Sequence, residues 1–199
     1  MTSRSRAADE GGSDGDLATR ASEGDRAALE TLLERHVDRI HAVCWRILGN
    51  PEDALDATQE AMIAVARGIG RFDHRAAFTT WLYRVATNAA LDEGRRKARR
   101  PRPVDPPAET GWVASPEHSV GARLDVDAAL GDLPEEFRVA VVLRDLCDLD
   151  YAEIAEVLGV PLGTVRSRIA RGRSGLAEAL GNRGWIAERP TTETRPTGS

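Results

Sequence analysis

The stretch that most constrains the fold is residues 150–173, DYAEIAEVLGVPLGTVRSRIARGR. Asp150 is placed to cap a helix in which Ile154, Ala155 and Leu158 recur at helical spacing, and Gly159, Val160 and Pro161 end it. A second helix is predicted from Leu162, with Val165, Ile169 and Leu176 facing inward. Its outer face carries Thr164, Ser167, Arg168 and Arg171, flanked by Arg166 and Arg173, and no acid occurs between 161 and 173. Two helices about a Gly-containing turn, the second basic outside, form a helix-turn-helix pattern. A major groove about 12 Å wide admits one such helix; short polar and Arg side chains read base edges, and flanking arginines hold phosphates. On this stretch alone, a helical hairpin with a solvated basic face remains the other reading.

The rest of the chain narrows the choice. At 199 residues, with 41% hydrophobic, 5% aromatic and 30% charged residues, it suits one or two compact helical domains. No window approaches 18 uninterrupted apolar residues, and the N-terminal MTSRSRAADEGGSDGD has no apolar core of a signal peptide, so a cytoplasmic protein that is not membrane-inserted is expected. The net charge of −5 is unusual for a DNA-binding chain, but it is segregated: acids gather before residue 61, whereas 95–102 and 161–173 are basic. Such a chain is expected to bind DNA weakly by itself and to need a partner. Cys44 and Cys147 lack a CxxC pattern or a His at metal spacing and read as structural thiols of a reducing compartment. His36, His41, His74 and His118 form no ligand set, and no Walker loop, HExxH or nucleophile elbow occurs, so no catalytic residue, metal, cofactor or small-molecule substrate is expected.

In chain order, residues 1–15 read as a disordered arm. From Asp25, a stripe of Leu29, Leu32, Leu33, His36, Val37, Ile40, Val43, Cys44, Ile47 and Leu48 predicts a long helix up to Gly49-Asn50-Pro51. Asn50 then caps a helix with Pro51 at its first position and Glu52 and Asp53 in its first turn. That helix is read with Leu55, Met62, Ile63, Ala66 and Ile69 inward and Asp53, Asp56, Gln59 and Glu60 outward. The outward carboxylates fit a solvated face or a docking surface for a basic partner; without further ligands they make a poor metal site. A third helix follows in FTTWLYRVATNAALDEGRR (78–96), with Phe78, Leu82, Val85, Ala86 and Ala89 inward and Trp81, Tyr83, Arg84, Thr87, Asn88 and Asp92 on its other faces. Its aromatic, amide and arginine side chains, ending in a basic run, suit unpaired bases and their phosphates. Residues 101–122, with five prolines and no periodicity, read as a flexible linker, in which Trp112 is conspicuous. A second helical domain is expected over 123–182 and a polar tail over 183–199.

These segments together resemble one family. DALDATQEAM (53–62), RFDHRAAFTTWLYRVATNAALDEGRR (71–96), LGDLPEEFRVAVVLRDL (130–146) and YAEIAEVLGVPLGTVRSRIARGR (151–173) occur in the order seen in the extracytoplasmic-function (ECF) sigma factors of the sigma-70 family, over about residues 17–180. Within that family the likeness is to the actinobacterial M-type members, on NPEDALDATQEAM and TTWLYR. The resemblance implies an all-α protein with sigma region 2 over 16–100, a Pro-rich linker and sigma region 4 over 123–182. It implies an alternative sigma factor of the stress-response kind that binds core RNA polymerase through the beta-prime clamp helices and the beta flap, and that answers to an anti-sigma factor. Core binding would fall to Asp53, Asp56, Gln59 and Glu60. Minus-ten melting and reading would fall to Arg71, Phe72, Phe78, Trp81, Arg84, Asn88, Arg95 and Arg96, with the 71–77 loop capturing a flipped base. The minus-thirty-five element would fall to Thr164, Arg166, Ser167, Arg168 and Arg171. Some residues depart from the family pattern: Leu55 stands where Glu is usual, Met62 and Ala66 replace aromatics, and Pro161 replaces a capping Ser. The other reading of the residues, a dimeric helix-turn-helix regulator that does not replace the sigma subunit, leaves TTWLYRVATNAA without a role.

Overall fold

The computed structural model describes residues 12–99 and 122–181. The 101–122 linker with Trp112, the 183–199 tail and residues 1–11 of the expected arm therefore lie outside the described residues, Ala122 excepted. The described residues form α1 (Asp14–Ser22), α2 (Arg26–Leu48), α3 (Pro51–Gly68), α4 (Phe78–Arg99), α5 (Ala122–Gly131), α6 (Glu135–Val141), α7 (Tyr151–Leu158) and α8 (Leu162–Leu180). The all-α expectation holds.

The helix boundaries follow from cap chemistry. Asp25 accepts from Ala28 N–H at 3.1 Å to start α2, and Gly49 ends it in the left-handed region at φ 69°. Asn50 accepts from the Glu52 and Asp53 amides, and Pro51 occupies the first helical position of α3. Asp150 and Glu153 form a reciprocal capping box at the start of α7, and Gly159, φ 63°, turns the chain into α8.

The N-terminal boundary differs from expectation. Ser13 and Asp16 form a capping box that opens α1 inside the stretch read as an arm. Gly12, Ser13 and Gly15 disguise the helix, but Leu17, Ala18 and Ala21 bury its apolar side. Asp14 pins α1 to α2: its carboxylate takes a 2.8 Å hydrogen bond from buried His36 and a 3.2 Å ion pair with Arg35.

α2, α3 and α4 pack on one another around Leu32, Ile40, Val43, Cys44, Ile47, Val65, Leu82 and Ala86. The inward face of α3 is Ala54, Ala57, Thr58, Ala61 and Val65; of the residues expected inward, Ile69 just past the helix is buried and Met62 is half-buried against the core, whereas Ala66 is exposed and Leu55 and Ile63 remain 52% and 43% exposed. Small residues at three-and-four spacing let α3 lie close to α2 and α4, so the larger aliphatics are turned outward.

α6 opens after Val141 into a π-helical turn, Val142–Leu146, before the short connection to α7. α6 and α8 approach closely at Gly172, where an added Cβ would lie 2.5 Å from Val141 Cγ2 and 3.1 Å from the Phe137 carbonyl oxygen. The two helical groups are also packed against each other: α7 lies on α4, and the π-helical turn and α6 lie on α2. Cys44 and Cys147 are free and buried, as expected of structural thiols, and burial pushes them up to about 11 and about 12.

Candidate nucleic-acid interface

Val165 and Ile169 are buried and fix the rotation of α8, so that Arg166, Ser167 and Arg171 project into solvent along its outer side. Pro161 supplies no side-chain cap; its carbonyl instead accepts from Thr164 N–H at 2.9 Å and Val165 N–H at 3.2 Å. Ser167 Oγ donates to the Thr164 carbonyl at 2.9 Å, which ties down the half-buried first turn. Arg171 stacks its guanidinium 5.9 Å from the Phe137 ring centroid. Two arginines read as outward cations are engaged within the protein: Arg168 pairs with Glu136 at 2.8 Å, and Arg173 pairs with Asp145. The sequence shows no acid nearby because Glu136 and Asp145 come from the neighbouring α6 and the π-helical turn.

In the other helical group, Arg71 is exposed at the end of a 3-10 turn, Ile69–Arg71, and the chain reverses through His74, φ 57°, before α4. Phe72 and Phe78 are 7% and 4% exposed and stand edge-on at 5.9 Å, with half-buried Trp81 within 5.9 Å of each. Phe72 and Phe78 are thus buried, and not placed to touch DNA: the apolar cluster that anchors the loop consumes them. Further along α4, Arg84 is 3.2 Å from Glu156 and Asn88 is exposed. Tyr83 and Thr87, expected on open faces, are buried because the second helical group packs over this side. The basic end of α4 is largely neutralised within the chain, by Arg95–Asp92 at 2.9 Å, Arg96 with the buried Glu93 at 2.6 Å, and Lys97–Asp53.

The last of these pairs removes Asp53 from the expected carboxylate face. Asp56, Gln59 and Glu60 remain exposed on α3, interleaved with Leu55 and Ile63 at four-residue spacing from Gln59. A groove of about 310 Å³ between α3 and α4 joins Glu60 to Asn88, Asp92 and Arg96. Among the described residues no cluster of His, Cys, Asp and Glu could hold a metal ion, and no helix is long and apolar enough to cross a membrane.

Residues 32–100 match sigma-70 region 2 and residues 123–176 match sigma-70 region 4. The chain is 40% identical over 169 residues to the ECF RNA polymerase sigma factor SigM of Mycobacterium tuberculosis, covering 85% of both chains. The chain belongs to the ECF sigma factors. It is also 43% identical over 166 residues to SigE of Mycolicibacterium smegmatis, of which it spans 64% of the length. In three dimensions this sigma factor is similar to CnrH solved in complex with the cytosolic domain of CnrY, at a TM-score of 0.64 and 27% identity over 85% of this chain and 97% of that one. A likeness of TM-score 0.65 at 19% identity, to the sigma factor RpoE of Bartonella quintana solved with the anti-sigma factor NepR, extends the fold match over 76% of this chain and 96% of that one. As an alternative sigma factor it directs transcription initiation, and nothing in the relatives supports a dimeric regulator.

Proposed function

We propose that this sigma factor docks on core polymerase through the outer face of α3 and reads its promoter with α4 and α8, in the cytoplasm and without catalytic chemistry of its own. The observation that carries the reading is the contrast between two outward faces. α3 presents Asp56, Gln59 and Glu60 around exposed Leu55 and Ile63, and α8 presents Arg166, Ser167 and Arg171. Exposed aliphatics among carboxylates suit a protein partner with arginines, such as the beta-prime clamp helices; the α8 face suits phosphates and base edges. Region 4 would in turn meet the beta flap.

Arg71, half-exposed Trp81 and Asn88 are the groups of region 2 best placed to meet unpaired bases, with Phe72 and Phe78 holding the loop beneath them. Capturing flipped bases offsets the few kcal/mol of each unstacked step, so melting is driven by binding energy. An anti-sigma protein is a further proposed partner; the RpoE structure that shares this fold was solved with one. The docking half is tested by gel filtration with sigma-free core polymerase. The wild-type chain should co-elute with core, and Asp56→Arg with Glu60→Arg should weaken the complex by at least about tenfold without loss of helicity. Unweakened binding by the doubly reversed variant would remove α3 from the interface.

A further inference from the structure

The 71–77 loop is fixed to the protein by apolar contacts at its ends. Arg71, Asp73, His74 and Arg75 are exposed, and Asp73 spends its carboxylate inside the loop, on the Arg75 amide at 3.3 Å and the Arg75 guanidinium at 3.3 Å. Ile69 before the loop is buried, as are Phe72 and Phe78 at its two ends. Phe78 lies against the His36 ring of α2, with centroids 5.6 Å apart, and α1 packs on the 3-10 turn from which the loop leaves. There the Ser22 carbonyl at the end of α1 is 4.0 Å from where a Cβ on Gly70 would stand, an ordinary van der Waals approach. α1 is thus joined to the loop by two routes, one through its last turn and one through His36. The match to region 2 begins at residue 32, so this nine-residue helix lies ahead of it.

His36 is the joint in the second route. A carboxylate can only accept, so the buried ring carries its proton on Nε2 and donates it to Asp14 at 2.8 Å; among the described residues Nδ1 has no hydrogen-bond partner. One hydrogen bond therefore sets the rotation of the ring. Asp14 is itself clamped at the first turn of α1, because its carboxylate is 3.2 Å from Arg35, whose guanidinium also donates to the Gly12 carbonyl at 2.9 Å. A helix this short is marginal by itself, and buried Leu17, Ala18 and Ala21 together with these contacts keep it in place. Without Asp14 the imidazole N–H is left unpaired in the core, and the ring must turn toward water to satisfy it. Turning takes the ring off Phe78 and loosens the cluster in which Phe78 meets Phe72 and Trp81 at 5.9 Å each.

We propose that Asp14 is a positioning residue for promoter melting: through His36 and Phe78 it sets the 71–77 loop, with α1 as the splint against which the loop is held. This rests on the capture of unpaired bases proposed above for this part of region 2. The test uses the full chain with sigma-free core polymerase and a duplex promoter identified from the 5′ ends of its transcripts. Wild type is compared with Asp14→Ala, Asp14→Asn and Arg71→Ala. Affinity for core, and the rate at which thymines near minus ten become reactive to permanganate, are measured well below each protein's melting temperature. Asp14→Ala is expected to bind core as wild type does and to melt the promoter on the order of fivefold more slowly, the effect of losing one hydrogen bond. Asp14→Asn keeps an oxygen for the His36 N–H while giving up the charge that pairs with Arg35, and it is expected to restore most of the rate. That recovery separates orientation of His36 from general support of α1. Arg71→Ala changes the loop and not its support, so it reports the base-capture reading alone. A slow Arg71→Ala beside an Asp14→Ala as fast as wild type would overturn the positioning role and leave that reading intact. Equal losses of core affinity and melting in Asp14→Ala, or no recovery in Asp14→Asn, would also overturn it by reducing Asp14 to a stabilising contact. Melting at the wild-type rate by Arg71→Ala would remove the loop from melting, and the proposal with it.

Discussion

Two glycines of α8 offer a paired test of how that helix is seated. At Gly172 an alanine Cβ would lie 2.5 Å from Val141 Cγ2 and 3.1 Å from the Phe137 carbonyl oxygen, whereas at Gly163 nothing lies within 4 Å. Carbon atoms pack best at about 3.5–4.0 Å, so Gly172→Ala must push α8 away from α6 by the better part of an ångström. Val141 can rotate away, but the Phe137 backbone cannot. Overpacking of this kind costs about 1–3 kcal/mol, and the helix propensity of alanine returns up to about 1 kcal/mol. The net loss is about 1–2 kcal/mol. Gly163→Ala receives a propensity gain of under about 1 kcal/mol with no clash, reduced because it sits in the first turn. The same chemical change at two sites of one helix should thus separate the variants by about 2 kcal/mol, or roughly 4–8 °C in a chain of this size. Thermal unfolding followed by far-UV circular dichroism checks this. A Gly172→Ala protein melting at or above wild type would refute the close α6–α8 approach.

Other expectations follow from particular groups. Cys44 and Cys147 should resist a thiol-specific disulfide reagent at pH 8 in the folded protein and react together on unfolding. Because burial raises both thiols from 9.0 to about 11 and about 12, their contribution to stability is fully present below pH 9 and is lost as pH rises through about 11 to 12, which unfolding midpoints across that window would reveal. Asp150→Ala removes the carboxylate oxygen that accepts from the Ala152 and Glu153 amides at the start of α7 and should cost about 1 kcal/mol in denaturant unfolding. Arg166→Ala should lower the salt dependence of promoter binding by about one unit if it holds a phosphate, with no change in melting temperature, whereas Arg168→Ala should also lose the Glu136 pair.

Much of this architecture was legible because local signals agree: Asn50-Pro51, Asp150 with Glu153, and Gly159 fix helix ends by chemistry that needs no tertiary context. The helix-turn-helix and the apolar anchors Val165 and Ile169 could be read for the same reason. The inward face of α3 was misread because Leu55 and Ile63 outweigh alanines in hydropathy, though Ala54, Ala57, Ala61 and Val65 carry the tighter period. α1 was missed because Gly12 just before it and Gly15 within it resemble a loop, and only the Ser13–Asp16 spacing gives it away. At the candidate site, exposure could be anticipated for Arg71, Asn88, Arg166 and Arg171. The burial of Phe78 could be read from the inward stripe of its helix, but that of Phe72, Tyr83 and Thr87 could not, since it depends on packing between distant segments. Nor could the pairing of Arg84, Arg168 and Lys97, whose acids lie 72, 32 and 44 residues away.

A chain that gives polymerase its promoter choice is revealed by the ends of the transcripts it produces. Purified protein is mixed with sigma-free bacterial core polymerase and genomic DNA fragments, and the 5′ ends of the RNA are sequenced. Discrete starts are expected, absent without the protein, that share one upstream motif near minus ten and another near minus thirty-five. No new starts, together with tight duplex binding by the protein alone, would contradict it.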